Sequence, residues 1–240
     1  MSIEKKIFMA RVADQAERYE DMVQFLKEIM TESEDDVSVD VRNLLSVGFK
    51  NLIGSRRAAW RTVSAIEQNK KYEQYSASCA EYKAKIEKEL SDLCEDIIGS
   101  VNDQSLKKAD SDESKTFYLK MIGDYYRYIA ECVKGDKLAE VTQHALEFYT
   151  QATEASKSLQ TYNSTRLGLA LNYSVFYYEL KNDSKKACEL AQEALDGAKA
   201  DIEQMDNEDA RDAISIVELL KENLDLWKEA EEEDAQAEDL

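Results

Sequence analysis

RNLLSVGFKNLIGSRRAAWR, residues 42–61, is the stretch on which the reading of this chain turns. The whole sequence holds 50 acidic and 31 basic residues, a formal net charge of -19. This window holds Arg42, Lys50, Arg56, Arg57 and Arg61 and no Asp or Glu. Wound as an α-helix at about 100° per residue, it brings Lys50, Arg57 and Arg61 within about 20° of one line. Leu45, Phe49, Leu52, Ala59, Trp60, Val63 and Ile66 fall on the other side and read as core. Arg56 points toward the apolar side and needs a partner or a path to water along its own stem. The island is an amphipathic helix with a concentrated basic stripe. Taken alone, such a stripe reads more readily as a salt-bridged surface face than as an anion site.

Outward from this helix, the rest of the chain has the same character. Proline is absent where usage of about 5% would supply roughly a dozen, and only 7 glycines occur. A 240-residue chain this poor in breakers can bury a sizeable core and is helical almost throughout. Apolar periodicity predicts an all-α fold of nine helices, at about 3–18, 20–32, 38–70, 75–104, 113–134, 137–159, 164–181, 184–202 and 208–230. The breaks fall at TESEDD, VNDQSLKKADSDES, KGD, TYNST, KND and MDNED, several of which supply Ser, Thr, Asp or Asn as N-caps. Short connections imply antiparallel neighbours. The pattern makes residues 1–230 one helical domain. It leaves 231–240 as an acidic, solvated, disordered tail, since EAEEEDAQAEDL has seven acidic residues in twelve and no basic one.

The totals exclude several function classes. A net charge of -19 disfavours nucleic acid and anionic membranes as partners. No segment approaches the roughly 20 apolar residues that span a bilayer, and the N-terminus reads as an amphipathic helix rather than a signal peptide. Cys79, Cys94, Cys132 and Cys188 lie far apart with no CxxC, which suits reduced cysteines in a cytoplasmic protein. The N-x-S/T triplets at Asn163, Asn172 and Asn182 then carry no glycosylation meaning. A single His144, no phosphate-loop glycine motif and no clustered metal ligands argue against an enzyme, a cofactor or a metal.

Three further windows bear on function. FYLKMIGDYYRYIAECVKGD, from Phe117, sets Lys120 and Arg127 seven apart on one face, with Asp124 between them and Tyr128 alongside. An intrahelical ion-pair cluster with Tyr128 as core is the competing reading. LGLALNYSVFYYEL lines up Leu171, Asn172, Val175 and Glu179. ISIVELLKENLDLWK lines up Ile216, Leu219, Leu220, Asn223 and Trp227 within about 100° of arc. Each of these last two is an apolar stripe interrupted by one asparagine, and each alone reads as core with a polar exception. Together the four windows suit a groove. Guanidinium and ammonium groups with a phenol would take a phosphate of about -1.5 to -2 charge. The asparagine amides would pair with an extended peptide backbone.

RNLLSVGFKNLIGSRRAAWR, FYLKMIGDYYRYIAE, RLGLALNYSVFYYEL and LLKENLDLWK resemble the signature blocks of the 14-3-3 family, collinearly from residue 3 to about residue 229. The resemblance implies nine antiparallel helices per protomer and a cup-shaped dimer. It implies a non-catalytic adaptor without cofactors, which binds phosphoserine and phosphothreonine motifs of client proteins and regulates their conformation, localisation or interactions in signalling. By the same resemblance Lys50, Arg57, Arg127 and Tyr128 hold the phosphate. Asn172 and Asn223 bond the peptide backbone, and Glu179 and Trp227 assist at the peptide's N-terminal side. Leu171, Val175, Ile216 and Leu219 form the apolar wall, with Lys120 and Arg61 as secondary members. Arg18 and Asp21 match a charged pair whose partners across the dimer are Glu89 and Lys85. Val12, Ala16, Ala59, Val63, Ile66 and Tyr82 supply the apolar contact. A homodimer, or a heterodimer with paralogues, acting in the cytoplasm and also in the nucleus is the corresponding expectation.

Three positions depart from the family pattern. Ala58 and Ala59 stand after the arginine pair, where many members carry a phosphorylatable serine. TYNST replaces a proline-containing loop, so that connection is expected to differ in shape. Ser215 stands at an apolar groove position. Set against this reading is a phosphate-independent helical scaffold, which would keep its partners after phosphatase treatment.

Overall fold

With no proline in the chain, the helices end only where local turn chemistry or a left-handed residue stops them. The computed structural model of the chain describes residues 1–202 and 211–238. Among the described residues there are nine α-helices and no strand, so the fold is all-α. They are α1 (Ile3–Gln15), α2 (Tyr19–Glu32), α3 (Val39–Gln68), α4 (Ser76–Ser100), α5 (Asp112–Ala130), α6 (Gly135–Ser156), α7 (Ser164–Glu179), α8 (Ser184–Ile202) and α9 (Arg211–Glu238).

Side chains in the breaks explain the starts. Ser2 caps α1 and Ser38 caps α3, each accepting from an amide three residues on at 3.4 Å. Ser111 and Ser114 cap α5 reciprocally, each hydroxyl accepting the other's backbone N–H at 3.2 and 3.3 Å. In TYNST, Asn163 caps α7, its Oδ1 taking Thr165 and Arg166 N–H at 3.0 and 3.1 Å.

The ends differ more from the periodicity. α1 stops at Gln15 rather than near 18 because Glu17 takes φ 54°. That residue closes a Schellman turn, in which Arg18 N–H reaches Ala13 O and Glu17 N–H reaches Asp14 O, both at 2.9 Å. The helix expected to 104 ends at Ser100, followed by a π turn (Val101–Ser105) and a 3₁₀ turn (Leu106–Lys108). This detour delivers Lys108, whose Nζ donates to Met30 O at 2.8 Å and Ser33 O at 2.6 Å, to the carbonyl end of α2. α9 continues through most of the segment expected to be a disordered tail, reaching Glu238. The MDNED break and the expected helix start at 208 lie outside the described residues.

The chain divides into two compact units, Met1–Asp110 with Met121–Ala145, and Ser111–Lys120 with Leu146–Leu240. The first has at its centre Met22, Leu26 and Ile29 of α2, Leu45 and Phe49 of α3, and Leu90 and Ile97 of α4, all 1% exposed or less. Gly48 lets α2 and α3 approach closely: a Cβ there would stand 3.0 Å from Leu26 Cδ1 and 3.2 Å from Met22 Sδ. The second unit buries Leu167, Ala187, Ala191, Leu220, Leu224 and Trp227 in one cluster. Among the described residues no helix is long and apolar enough to cross a membrane.

The apolar side of α3 is core only in its first half. Leu45, Phe49 and Leu52 are buried, but Ala59 and Ile66 are exposed and Trp60 and Val63 are half-buried. Trp60 Nε1 donates to Glu87 Oε1 at 2.9 Å. Phe8 and Val12 of α1 and Tyr82 of α4 are also exposed, at 64%, 41% and 56%.

Candidate functional site

The five cations of the 42–61 window have three different fates. Arg42 is buried, donating to Val37 O at 2.9 Å and lying 3.5 Å from the buried carboxylate of Asp36. Arg56, which the helical wheel turns toward the apolar side, bonds Glu20 at 2.9 Å and the carbonyl of Leu52 at 3.1 Å. That contact with a cation holds Glu20 below the usual carboxylate range. These two arginines are structural. Lys50 is exposed on α3, two turns before Arg57 on the same face.

Arg57 and Arg61 converge on one carboxylate, that of Glu131, just beyond α5. Arg57 grips it edge-on, with Nε 3.0 Å and Nη2 2.5 Å from its two oxygens. Arg61 Nη2 lies 3.3 Å away and Arg127 Nη1 3.8 Å away. The guanidiniums of Arg57 and Arg127 stand over the Tyr128 ring, 4.1 and 4.7 Å from its centroid. Asp124 lies 3.7 Å from Arg127 Nη2. Three guanidiniums thus gather around one largely buried carboxylate, two of them over the Tyr128 ring, all within the first unit. Arginine stays charged under any ordinary condition, and its planar fork of N–H donors matches the oxygens of carboxylates and phosphates alike.

Burial lifts the Cys94 thiol well above its ordinary range, and lifts that of Cys132, next to Glu131, to about 11. All four cysteines are free thiols.

In the second unit the two asparagine stripes separate by depth. Leu171, Val175 and Ile216 are half-buried and pack on the cluster that contains Leu220 and Trp227. Leu219 is 48% exposed. Asn172 and Asn223 are half-buried, and Glu179 is exposed at the end of α7. Trp227 is deeper than a surface contact, stacked on Tyr178 with ring centroids 4.9 Å apart. Lys120, in the α5 segment of this unit, passes close to Gly168 of α7: a Cβ there would stand 3.6 Å from Lys120 Cε. A cavity of about 370 Å³ also lies in this unit, lined by Ser156, Arg166, Ala170, Tyr173, Leu190 and Gly197 among others. Its α7 residues occupy the face opposite the Leu171–Asn172–Val175 stripe, so it is separate from the candidate residues.

The family model for the 14-3-3 protein matches residues 9–228. The chain belongs to the 14-3-3 family. A 14-3-3 protein homolog of Candida albicans is 46% identical over 99% of this chain and 91% of its own length. The 14-3-3 protein homolog 1 of Schistosoma mansoni is 45% identical over 92% and 88%. The 14-3-3 protein zeta of Bombyx mori is 44% identical over 95% and 93%. Members of the 14-3-3 family are non-catalytic, dimer-forming adaptors that bind phosphoserine and phosphothreonine segments of client proteins in signalling, and this chain is one of them.

Within this 14-3-3 chain the three departures take simple forms. Ala58 and Ala59 are both exposed. Without proline, the connection before α7 is fixed by Asn163, whose Nδ2 also donates to Glu113 at 3.0 Å. Ser215 is exposed, and its hydroxyl bonds the Arg211 carbonyl at 3.2 Å. The matched dimer charges pair locally in the single chain: Arg18 bonds Asp21, and Lys85 lies 3.9 Å from Glu89. Glu131 escaped the sequence reading because it stands 74 residues from Arg57. Its one legible signal was its place four residues after Arg127, on the face already carrying Asp124.

Proposed function

We propose that Lys50, Arg57, Arg127 and Tyr128 hold the phosphate of a client's phosphoserine or phosphothreonine, with Arg61 and Lys120 as outlying cations. The carrying observation is the convergence of three guanidiniums and the Tyr128 phenol in a chain of net charge -19. An acidic exterior repels polyanions and leaves the cluster to a single phosphate. Asn172 and Asn223 pair with the peptide backbone, Leu171, Val175, Ile216 and Leu219 receive flanking side chains, and Glu179 and Trp227 act at the N-terminal side. Residues 1–230 work as one 14-3-3-like domain, with 231–240 as an acidic appendage. Two copies join through Val12, Ala16, Ala59, Val63, Ile66 and Tyr82, with Arg18 and Asp21 exchanging their local partners for Glu89 and Lys85 of the second copy. The exposure of Val12, Ile66 and Tyr82 supports this reading. The protein acts in the cytoplasm and also in the nucleus, as a homodimer or with paralogues.

The test is anisotropy titration of a fluorescent Arg-Ser-x-pSer-x-Pro peptide beside its unphosphorylated twin. Binding that needs both the phosphate and Arg57, and is lost in Arg57→Glu, supports the assignment. Equal binding of both peptides would transfer the function to a phosphate-independent surface.

A further inference from the structure

We infer that Glu131 is a positioning residue of the phosphate site: a counter-ion shared by three arginines that fixes, through the fork it forms with Arg57, the direction of that guanidinium's free N–H groups. This rests on the phosphate-receptor reading of the same residues.

Three features of the geometry carry it. Glu131 takes Arg57 by the Nε–Nη2 edge, which fixes the plane of that guanidinium and leaves Nη1 on the opposite side. The same two oxygens lie 3.3 Å from Arg61 and 3.8 Å from Arg127. Glu131 therefore touches all three like charges, with Asp124 adding a second carboxylate at Arg127 alone, and offsets their mutual repulsion. Finally, the Glu131 side chain is 12% exposed, against 23% for Arg57 and 59% for Arg61. An anion arriving from water meets those two arginines before it meets the carboxylate. Glu131 thus stands behind Arg57 and Arg61, while Arg127, at 7%, lies at least as deep as the carboxylate. A site organised this way has its arginines arranged before the ligand arrives, so less ordering is left to binding.

The proposal predicts a sign opposite to that of simple charge counting. Replacing Glu131 by Gln removes a negative charge beside an anion site, and long-range attraction alone would tighten phosphopeptide binding. If Glu131 positions the arginines, E131Q instead weakens it about tenfold, the scale of one misdirected charge-assisted contact. The effect must run through the Arg57 fork. In an Arg57→Lys background, where no fork remains to be aimed, E131Q weakens binding less than about threefold. Glu131→Asp keeps the charge but draws it back by one methylene. It loses severalfold in affinity and also covers the case in which E131Q folds poorly.

The experiment is anisotropy of the fluorescent phosphopeptide on the full chain for wild type, E131Q, E131D, R57K and R57K with E131Q, with a melting curve for each. Weakening by E131Q that nearly vanishes in R57K supports the assignment. Unchanged or tighter binding in E131Q overturns it, as does an equal loss in both backgrounds or wild-type affinity in E131D. Should the wild-type chain not distinguish phosphorylated from unphosphorylated peptide, the receptor reading itself falls. A wild type that discriminates while E131Q binds as well refutes only the role of Glu131.

Discussion

Arg57 meets Glu131 edge-on across 74 residues of chain, while Arg61, one turn further along the same helix, reaches the same carboxylate with a single nitrogen at 3.3 Å. The two arginines are unequal for that reason. Arg57 is oriented by two hydrogen bonds and by the Tyr128 ring, and Arg61 is 59% exposed with one long contact. Arg57→Ala is expected to weaken phosphopeptide binding by about 10–100-fold, the range of one or two charge-assisted hydrogen bonds. Arg61→Ala is expected to weaken it about threefold or less, as for exposed ion pairs. Titrations of both variants at one salt concentration check the ranking. A larger loss in Arg61→Ala would contradict it.

Arg42 should behave in the reverse sense. It is buried against the buried carboxylate of Asp36 and the carbonyl of Val37. Arg42→Met removes one charged partner of a buried carboxylate and the donor to the Val37 carbonyl, a change expected to cost about 3 kcal/mol of stability. Urea denaturation measures the loss, and phosphopeptide affinity of the folded variant should stay within about twofold of wild type, because uncoupled sites act independently.

The thiols provide a chemical check on burial. Thiolate is the reactive form, and burial raises Cys94, Cys132 and Cys188 above the ordinary value. At pH 8, an aromatic disulfide reagent should label Cys79 first, Cys188 more slowly, and Cys94 and Cys132 only on unfolding. The same shift has a pH sign. Between pH 9 and about 11 the unfolded chain releases the Cys132 proton while the folded chain keeps it. The unfolded state then binds fewer protons, so the Cys132 contribution to stability falls as pH rises through that window. In Cys132→Val the alkaline loss should shrink by on the order of 1–2 kcal/mol, read as the difference between the two stability-versus-pH curves.

The exposed apolar residues of α1 and α4 yield a fourth expectation. Val12 and Tyr82 are 41% and 56% exposed in the single chain. If they meet a second copy, Val12→Glu combined with Tyr82→Glu introduces like charges that the interface must desolvate and that repel across it. Light scattering after gel filtration should then show a dimer for wild type and a monomer for the double variant. A double variant that remains dimeric would direct attention to another surface.

Much of this architecture was already legible in the sequence, because helix periodicity is a local property. Absence of proline, apolar spacing and polar breaks are enough to read nine helices, and serine and asparagine side chains at the breaks indeed cap α1, α3, α5 and α7. Periodicity is weakest at ends, where a single left-handed residue such as Glu17, or a π turn such as Val101–Ser105, closes a helix without an apolar signal. It also marks a side of α3 as apolar without saying what covers it. Phe49 is covered by the chain itself, and Ile66 on the same side is left exposed.

The basic window shows the same division more sharply. Its five cations share one sign of charge and one helix, and helical spacing alone sets three of them, Lys50, Arg57 and Arg61, in a stripe in an acidic chain. Which of them is structural was decided only by partners supplied from elsewhere: Asp36 and Val37 for Arg42, Glu20 for Arg56, and Glu131 for Arg57 and Arg61. Ion pairing depends on separations of a few ångströms between side chains, and helical spacing fixes such separations only within one or two turns. Across 36 residues to Glu20 and 74 to Glu131 they are set by how the helices pack, which is why the tertiary structure decided them.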